Sequence, residues 1–169
     1  MRGPQRSAGP TLRCRGTSRY RRPMRPLPKR KGLPHEVPPW VADAAIYFVT
    51  INSQPRGQDQ LCACGAALWE SIQFNAQRGL WWPKLVLVMP DHLHALLVFG
   101  RGVSIQGTVT AWKHYTAHAL GIHWQRDFFE HRVRADESLM EKAHYIRMNP
   151  VRKGLCQLPA EWPHVWSCT

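Results

Sequence analysis

Two histidines, His92 and His94, stand two residues apart in the run Met89-Pro90-Asp91-His92-Leu93-His94. On an extended strand alternate side chains share a face, so both imidazoles point the same way while Leu93 points into the other side. That is the geometry a divalent cation asks of two neighbouring ligands. The plainer reading is a pair of hydrogen-bonded histidines at a strand end. Further along, Tyr145 and Asn149 lie four apart, which on a helix places them on one face. An amide oxygen is a legitimate ligand for a hard cation, and a tyrosine beside it would sit next to the ion. The plainer reading here is a core aromatic followed by an Asn-Pro helix terminus. Tyr47, mid-strand, Tyr115, mid-helix, and Tyr20, near the N-terminus, are weaker nucleophile candidates.

The elements that must position these groups can be read from the apolar pattern. Residues 45–52 are rich in aromatic and β-branched side chains and predict a strand, ended by the turn residues of 53–57. Residues 60–77 carry apolar positions at helical spacing, with Gly79 to close them. Residues 84–88 and 93–99 predict two strands joined by a tight turn; apolar on both faces, they belong in the middle of a covered sheet. Ser104 is a fitting N-cap for a helix running to Leu120, and Gly121 a fitting stop. A strand over 124–133 and a helix over 136–149 follow, with Pro150 forcing an exit at Asn149. Residues 154–169 form a short Trp-containing end that packs back on the domain. The predicted class is α+β: a ferredoxin-like βαββαβ antiparallel sheet with an extra C-terminal helix carrying the tyrosine.

Charge divides the chain in two. Its 169 residues carry a formal +12. Residues 1–40 hold 11 Lys or Arg against one acid and eight of the 14 prolines, whereas residues 41–169 hold 12 bases against 10 acids. A segment so poor in apolar surface cannot offset its ordering entropy, so 1–40 is expected to be a disordered basic arm and 41–169 the folded domain. The arm's composition fits either a tether to nucleic-acid phosphates or an extension upstream of an internal start at Met24. No apolar run reaches the roughly 18 residues of a membrane span, and the N-terminus lacks the apolar core of a signal peptide. The five cysteines form neither a zinc-ribbon spacing nor an even disulfide set, which fits reduced thiols in a cytoplasm.

Taken in order, Tyr47-Phe48-Val49-Thr50, Val88-Met89-Pro90-Asp91-His92-Leu93-His94, Trp112-Lys113 and Tyr145-Ile146-Arg147-Met148-Asn149-Pro150-Val151-Arg152-Lys153-Gly154-Leu155 resemble a known pattern. The chain resembles the HUH single-tyrosine transposases, and more closely the REP-associated tyrosine transposases of bacteria, over roughly residues 43–168. Insertion-sequence relatives carry Gln four residues after the tyrosine; Asn149 matches the REP-associated branch. The resemblance implies a metal-dependent single-strand DNA endonuclease and strand transferase. In it Tyr145 would be the nucleophile, leaving a 5′-phosphotyrosine, and His92, His94 and Asn149 would hold one Mg²⁺ or Mn²⁺. Two neutral imidazoles also suit Zn²⁺ or Ni²⁺; the oxygen ligand and the family point to the harder ions. It further implies a single-stranded or hairpin DNA partner in the bacterial cytoplasm, at the nucleoid, with no membrane. The acting unit would be a monomer or a homodimer, the tyrosine helix packing in cis or in trans.

Lys113, Arg132, Arg134, Arg147, Arg152 and Lys153 are the candidate phosphate contacts. Two other functions compete. One is a catalytically silent, transposase-derived module that binds hairpin nucleic acid. The other is a metal hydrolase that uses water in place of the tyrosine.

Overall fold

The computed structural model describes residues 45–134 and 139–168. The expected basic arm over 1–40 and the predicted helix start at 136–138 lie outside the described residues. Five strands form one sheet: β1 (Ile46–Asn52), β2 (Trp81–Met89), β3 (His92–Phe99), β4 (Phe129–Arg132) and β5 (Val165–Ser167). Their order is β4-β1-β3-β2-β5, and every neighbouring pair is antiparallel. The first four strands take the order of the expected ferredoxin-like frame, and the fold is α+β. β5 is an addition: the C-terminal segment expected to pack back does so by pairing with the outer edge of β2. It is held there by Val88 N donating to the His164 carbonyl (2.9 Å) and Trp162 Nε1 to the Val88 carbonyl (2.9 Å).

The sheet separates two apolar layers. Strict alternation along β1 turns Tyr47, Val49 and Ile51 toward one face, where they meet α2 (Gly65–Gln77) and α3 (Ile105–Leu120). The opposite face holds Leu85, Leu87, Met89 and Leu96, covered by Ala143 and Ile146 of α4 (Leu139–Arg147). β3 lies between β1 and β2 and is buried along its whole length, as its unbroken apolar run predicts. α3 starts and stops where its cap residues predict. Ser104 Oγ accepts from Gly107 N (3.1 Å), and Gly121 ends the helix at φ +66°, a conformation glycine adopts without steric cost.

Three expectations are corrected. The helix over 60–77 is interrupted at Cys64 into α1 (Gln60–Ala63) and α2, because Cys64 turns out of helical dihedrals at φ −98°, ψ 7°. The strand over 124–133 shrinks to β4 with one isolated bridge between Trp124 and Ser53. The carbonyls of Gln125 and Arg126 take the Lys113 ammonium as their partner (2.6 and 2.8 Å). Finally, the chain does not leave the helix at Asn149. α4 ends at Arg147, and Asn149 begins a second short helix, α5 (Asn149–Arg152), with Pro150 in its first turn. A first-turn proline has no hydrogen bond to lose, so Pro150 starts a helix here instead of ending one.

Candidate active site

His92 and His94 open β3 at the end of the sheet face that α4 covers. Across the ladder His94 lies opposite Thr50 on β1 and Leu87 on β2, and His92 opposite Asn52 and Met89. Partners directly opposite share a face, so the histidines stand on the side of Leu87, Met89 and α4. Their ring centroids are 4.7 Å apart and nearly perpendicular, and Phe48 stacks on His94 at 5.4 Å.

Each ring is anchored through Nδ1. His92 Nδ1 meets Asp91 Oδ1 at 2.7 Å, and His94 Nδ1 meets Thr50 Oγ1 at 2.8 Å. An imidazole that donates from Nδ1 presents a lone pair at Nε2, and a partner at Nδ1 is the usual second support of a metal-bound histidine. Burial pushes His94 down to about 3, helped by the neighbouring His92 and Arg56 charges. Burial also lowers His92, outweighing the bond to Asp91 that would raise it. Both rings are therefore neutral near pH 7, the form that ligates cations. Asp91 is held below the ordinary carboxylate range. Burial alone would raise it, but hydrogen bonds from His92 and Gly57 and the Arg56 charge prevail.

Asn149 is buried, and its Nδ2 donates to the carbonyls of Tyr145 (3.0 Å) and Ile146 (3.2 Å). The amide thus closes the last turn of α4, which is the helix-terminus role. With the nitrogen so committed, Oδ1 is left as an acceptor. A neutral imidazole and an amide oxygen are each of a type that ligates divalent cations. Among the described residues no group of three or more His, Cys, Asp or Glu stands together where it could hold a metal ion, the two histidines included.

Tyr145 is 47% exposed and belongs to neither apolar cluster, so it is not a core aromatic. Its helix is seated by Ala143 and Ile146, which leaves the phenol on the accessible side. The Arg152 guanidinium lies 4.5 Å from the ring centroid, and its Nη1 donates to the Tyr145 carbonyl (3.3 Å).

The candidate phosphate contacts divide. Arg152 stands at Tyr145, and Lys153 is exposed with its charge felt at His92. Arg147 is half-buried at the end of α4, and Arg134 is exposed beyond β4. The other two lie apart from the histidines. Lys113 is only 7% exposed, its ammonium bound to the Gln125 and Arg126 carbonyls and set over the Phe128 ring; it ties α3 to the segment before β4. Arg132 lies opposite Tyr47, so the strand register turns it to the α2–α3 face, away from the histidines. The groups missed from sequence are Thr50, Arg56 and Asp91. Asp91 adjoins His92 and was legible as a partner. Thr50 and Arg56 reach the site only through strand register and a turn, which carry no sequence signal.

No family model matches the chain. A REP-associated tyrosine transposase of Escherichia coli K12 is 29% identical over 82 residues, covering 46% of this chain and 48% of that protein. A solved structure of a REP-associated tyrosine transposase bound to a REP hairpin has a TM-score of 0.66 at 24% identity, over 77% of this chain and 81% of that one. That likeness is one of fold. A protein of Haemophilus influenzae carrying the same family name is 42% identical over 136 residues, 70% of this chain and 77% of its own length. At that identity and coverage, the chain belongs to the REP-associated tyrosine transposases.

Proposed function

We propose that the chain is a metal-dependent single-strand DNA endonuclease and strand transferase that cuts beside a hairpin, with Tyr145 as the nucleophile. The observation that carries this reading is the shared sheet face. Two neutral histidines with anchored Nδ1 atoms stand on the side covered by the helix that presents an accessible tyrosine. His92, His94 and Asn149 would hold one Mg²⁺ or Mn²⁺. Bound there, such an ion supplies Lewis-acid polarisation of a phosphate oxygen. Tyr145 Oη attacks the phosphorus and gives up its proton. The bond to the 3′ oxygen breaks, leaving a 5′-phosphotyrosine and a 3′-hydroxyl. Attack of a 3′-hydroxyl on the phosphotyrosine reverses the bond changes, so joining needs no nucleotide cofactor. Arg152, which lies against the Tyr145 ring, and Lys153 would contact phosphates flanking the cut. The hairpin partner is suggested by the solved relative bound to a REP hairpin, and such a partner would place the protein at the nucleoid.

The test is Tyr145→Phe, incubated with single-stranded hairpin DNA and Mn²⁺ and run on a denaturing gel. Wild type should yield a covalent protein–DNA band and the variant none, with hairpin affinity near wild type. Tyr47→Phe, in the core, and Tyr115→Phe, exposed on α3, should keep the band. An adduct in Tyr145→Phe would move the nucleophile elsewhere. Cutting by wild type without any adduct would favour a water-using hydrolase, and binding without cutting would favour the silent hairpin-binding module.

A further inference from the structure

Asp91 sits in the tight turn between β2 and β3, and the turn after β1 closes around it. Its backbone carbonyl accepts from Ser53 N (2.9 Å), Ser53 Oγ (3.0 Å) and Arg56 Nη1 (3.3 Å). Its carboxylate divides its two oxygens. Oδ2 takes Arg56 Nε (3.0 Å) and Gly57 N (2.9 Å), while Oδ1 takes His92 Nδ1 (2.7 Å). Arg56 is itself steadied by a hydrogen bond to Asn52 Oδ1. Gly57 reaches Oδ2 from φ +81°, a conformation that a side chain would strain.

We propose that Arg56 is a positioning residue: by occupying Asp91 Oδ2 it aims Oδ1 at His92 and fixes that ring as the Nδ1–H tautomer, with Nε2 free for a ligand. The inference rests on the reading of His92 as a metal ligand. The carboxylate torsion of an aspartate is broad and two-fold, so one hydrogen bond to a histidine does not fix it; two donors on the opposite oxygen do. A neutral imidazole has two tautomers, and only the one that donates from Nδ1 leaves Nε2 able to ligate. A purely architectural role for Arg56 accounts for less. Ser53 already holds the Asp91 backbone through two bonds, and the strands on either side are fixed by their ladder. What Arg56 adds at the side chain is orientation.

The tautomer can be read without metal. In histidine-¹⁵N-labelled, metal-free protein at a pH where both rings are neutral, long-range ¹H–¹⁵N spectra should show His92 as a single Nδ1–H form. In Arg56→Gln the Nε2–H form of His92 should appear. His94, whose partner is Thr50, should keep its wild-type signals and serves as the internal control. Mn²⁺ affinity by calorimetry should fall about tenfold in Arg56→Gln and about tenfold to a hundredfold in Asp91→Asn, the range for loss of an outer-shell partner. Arg56→Lys keeps the charge but not the paired donors. It should behave like Arg56→Gln, which covers the case in which Arg56→Gln folds poorly. An unchanged His92 tautomer and unchanged Mn²⁺ affinity in a folded Arg56 variant would overturn the inference. If His92→Ala and His94→Ala bound Mn²⁺ as wild type does, the metal reading itself would fail. The tautomer spectra would still decide what Arg56 does.

Discussion

His94 costs the folded protein a proton site. An unfolded chain protonates a histidine as pH drops through about 6.5, whereas the folded ring, buried beneath Phe48 and beside His92, resists until about 3. Between those values the unfolded state binds more protons. Stability is therefore undiminished above about pH 6.5 and drains as pH falls, by up to about 1.4 kcal/mol per pH unit. The lowered His92 adds in the same direction. In metal-stripped protein, the urea-derived stability of wild type should drop between about pH 7 and pH 5. The drop in His94→Gln should be smaller by about 2 kcal/mol. Equal drops would place the titration on another residue. The same burial that costs stability in acid keeps the ring neutral at pH 7, the state that the proposed ligand role requires. Little of this was legible from His-x-His alone. The spacing gave the shared face, but burial and the Thr50 anchor come from strands distant in sequence.

At the level of elements, the strong signals were the caps and the apolar runs, and the weak ones were segments that borrow partners. α3 was readable because Ser104 and Gly121 are local instructions that no distant contact overrides. β4 was overextended because residues 124–128 look strand-like in isolation, while in the fold the Gln125 and Arg126 carbonyls bond to a lysine ammonium. Asn149-Pro150 reads equally as a helix stop or a helix start, and the local sequence does not decide between them. The lysine also gives a prediction. Lys113→Met would leave two carbonyls without their charged donor, at a cost of about 1–3 kcal/mol. The variant should show a lower urea midpoint and faster amide exchange over residues 122–128, with the salt dependence of DNA binding unchanged. A stable variant whose salt dependence flattened would make Lys113 a phosphate contact.

Across the whole molecule, one sheet separates two layers. The α2–α3 face is an apolar layer built around Trp81 and Trp112, and the other face holds the two histidines beside the cluster covered by α4, the helix that bears Tyr145. The described residues by themselves supply a buried cluster on each side of the sheet, so the fold has its core without residues 1–40. Charge is distributed the other way: 11 of the 23 Lys and Arg lie in those 40 residues, and residues 41–169 are close to balance. Stability and long-range attraction to DNA should therefore separate on truncation. Deleting residues 1–40 should leave the melting midpoint within a degree or two, while the slope of log affinity against log salt flattens. The expected change is about 0.7 for each single-strand phosphate the segment neutralises. A fall in the midpoint would make the segment part of the fold. An unchanged slope would mean that its charges touch no phosphate. A flattened slope with full cutting at low salt would assign the segment to capture of DNA and leave the chemistry to the α4 face.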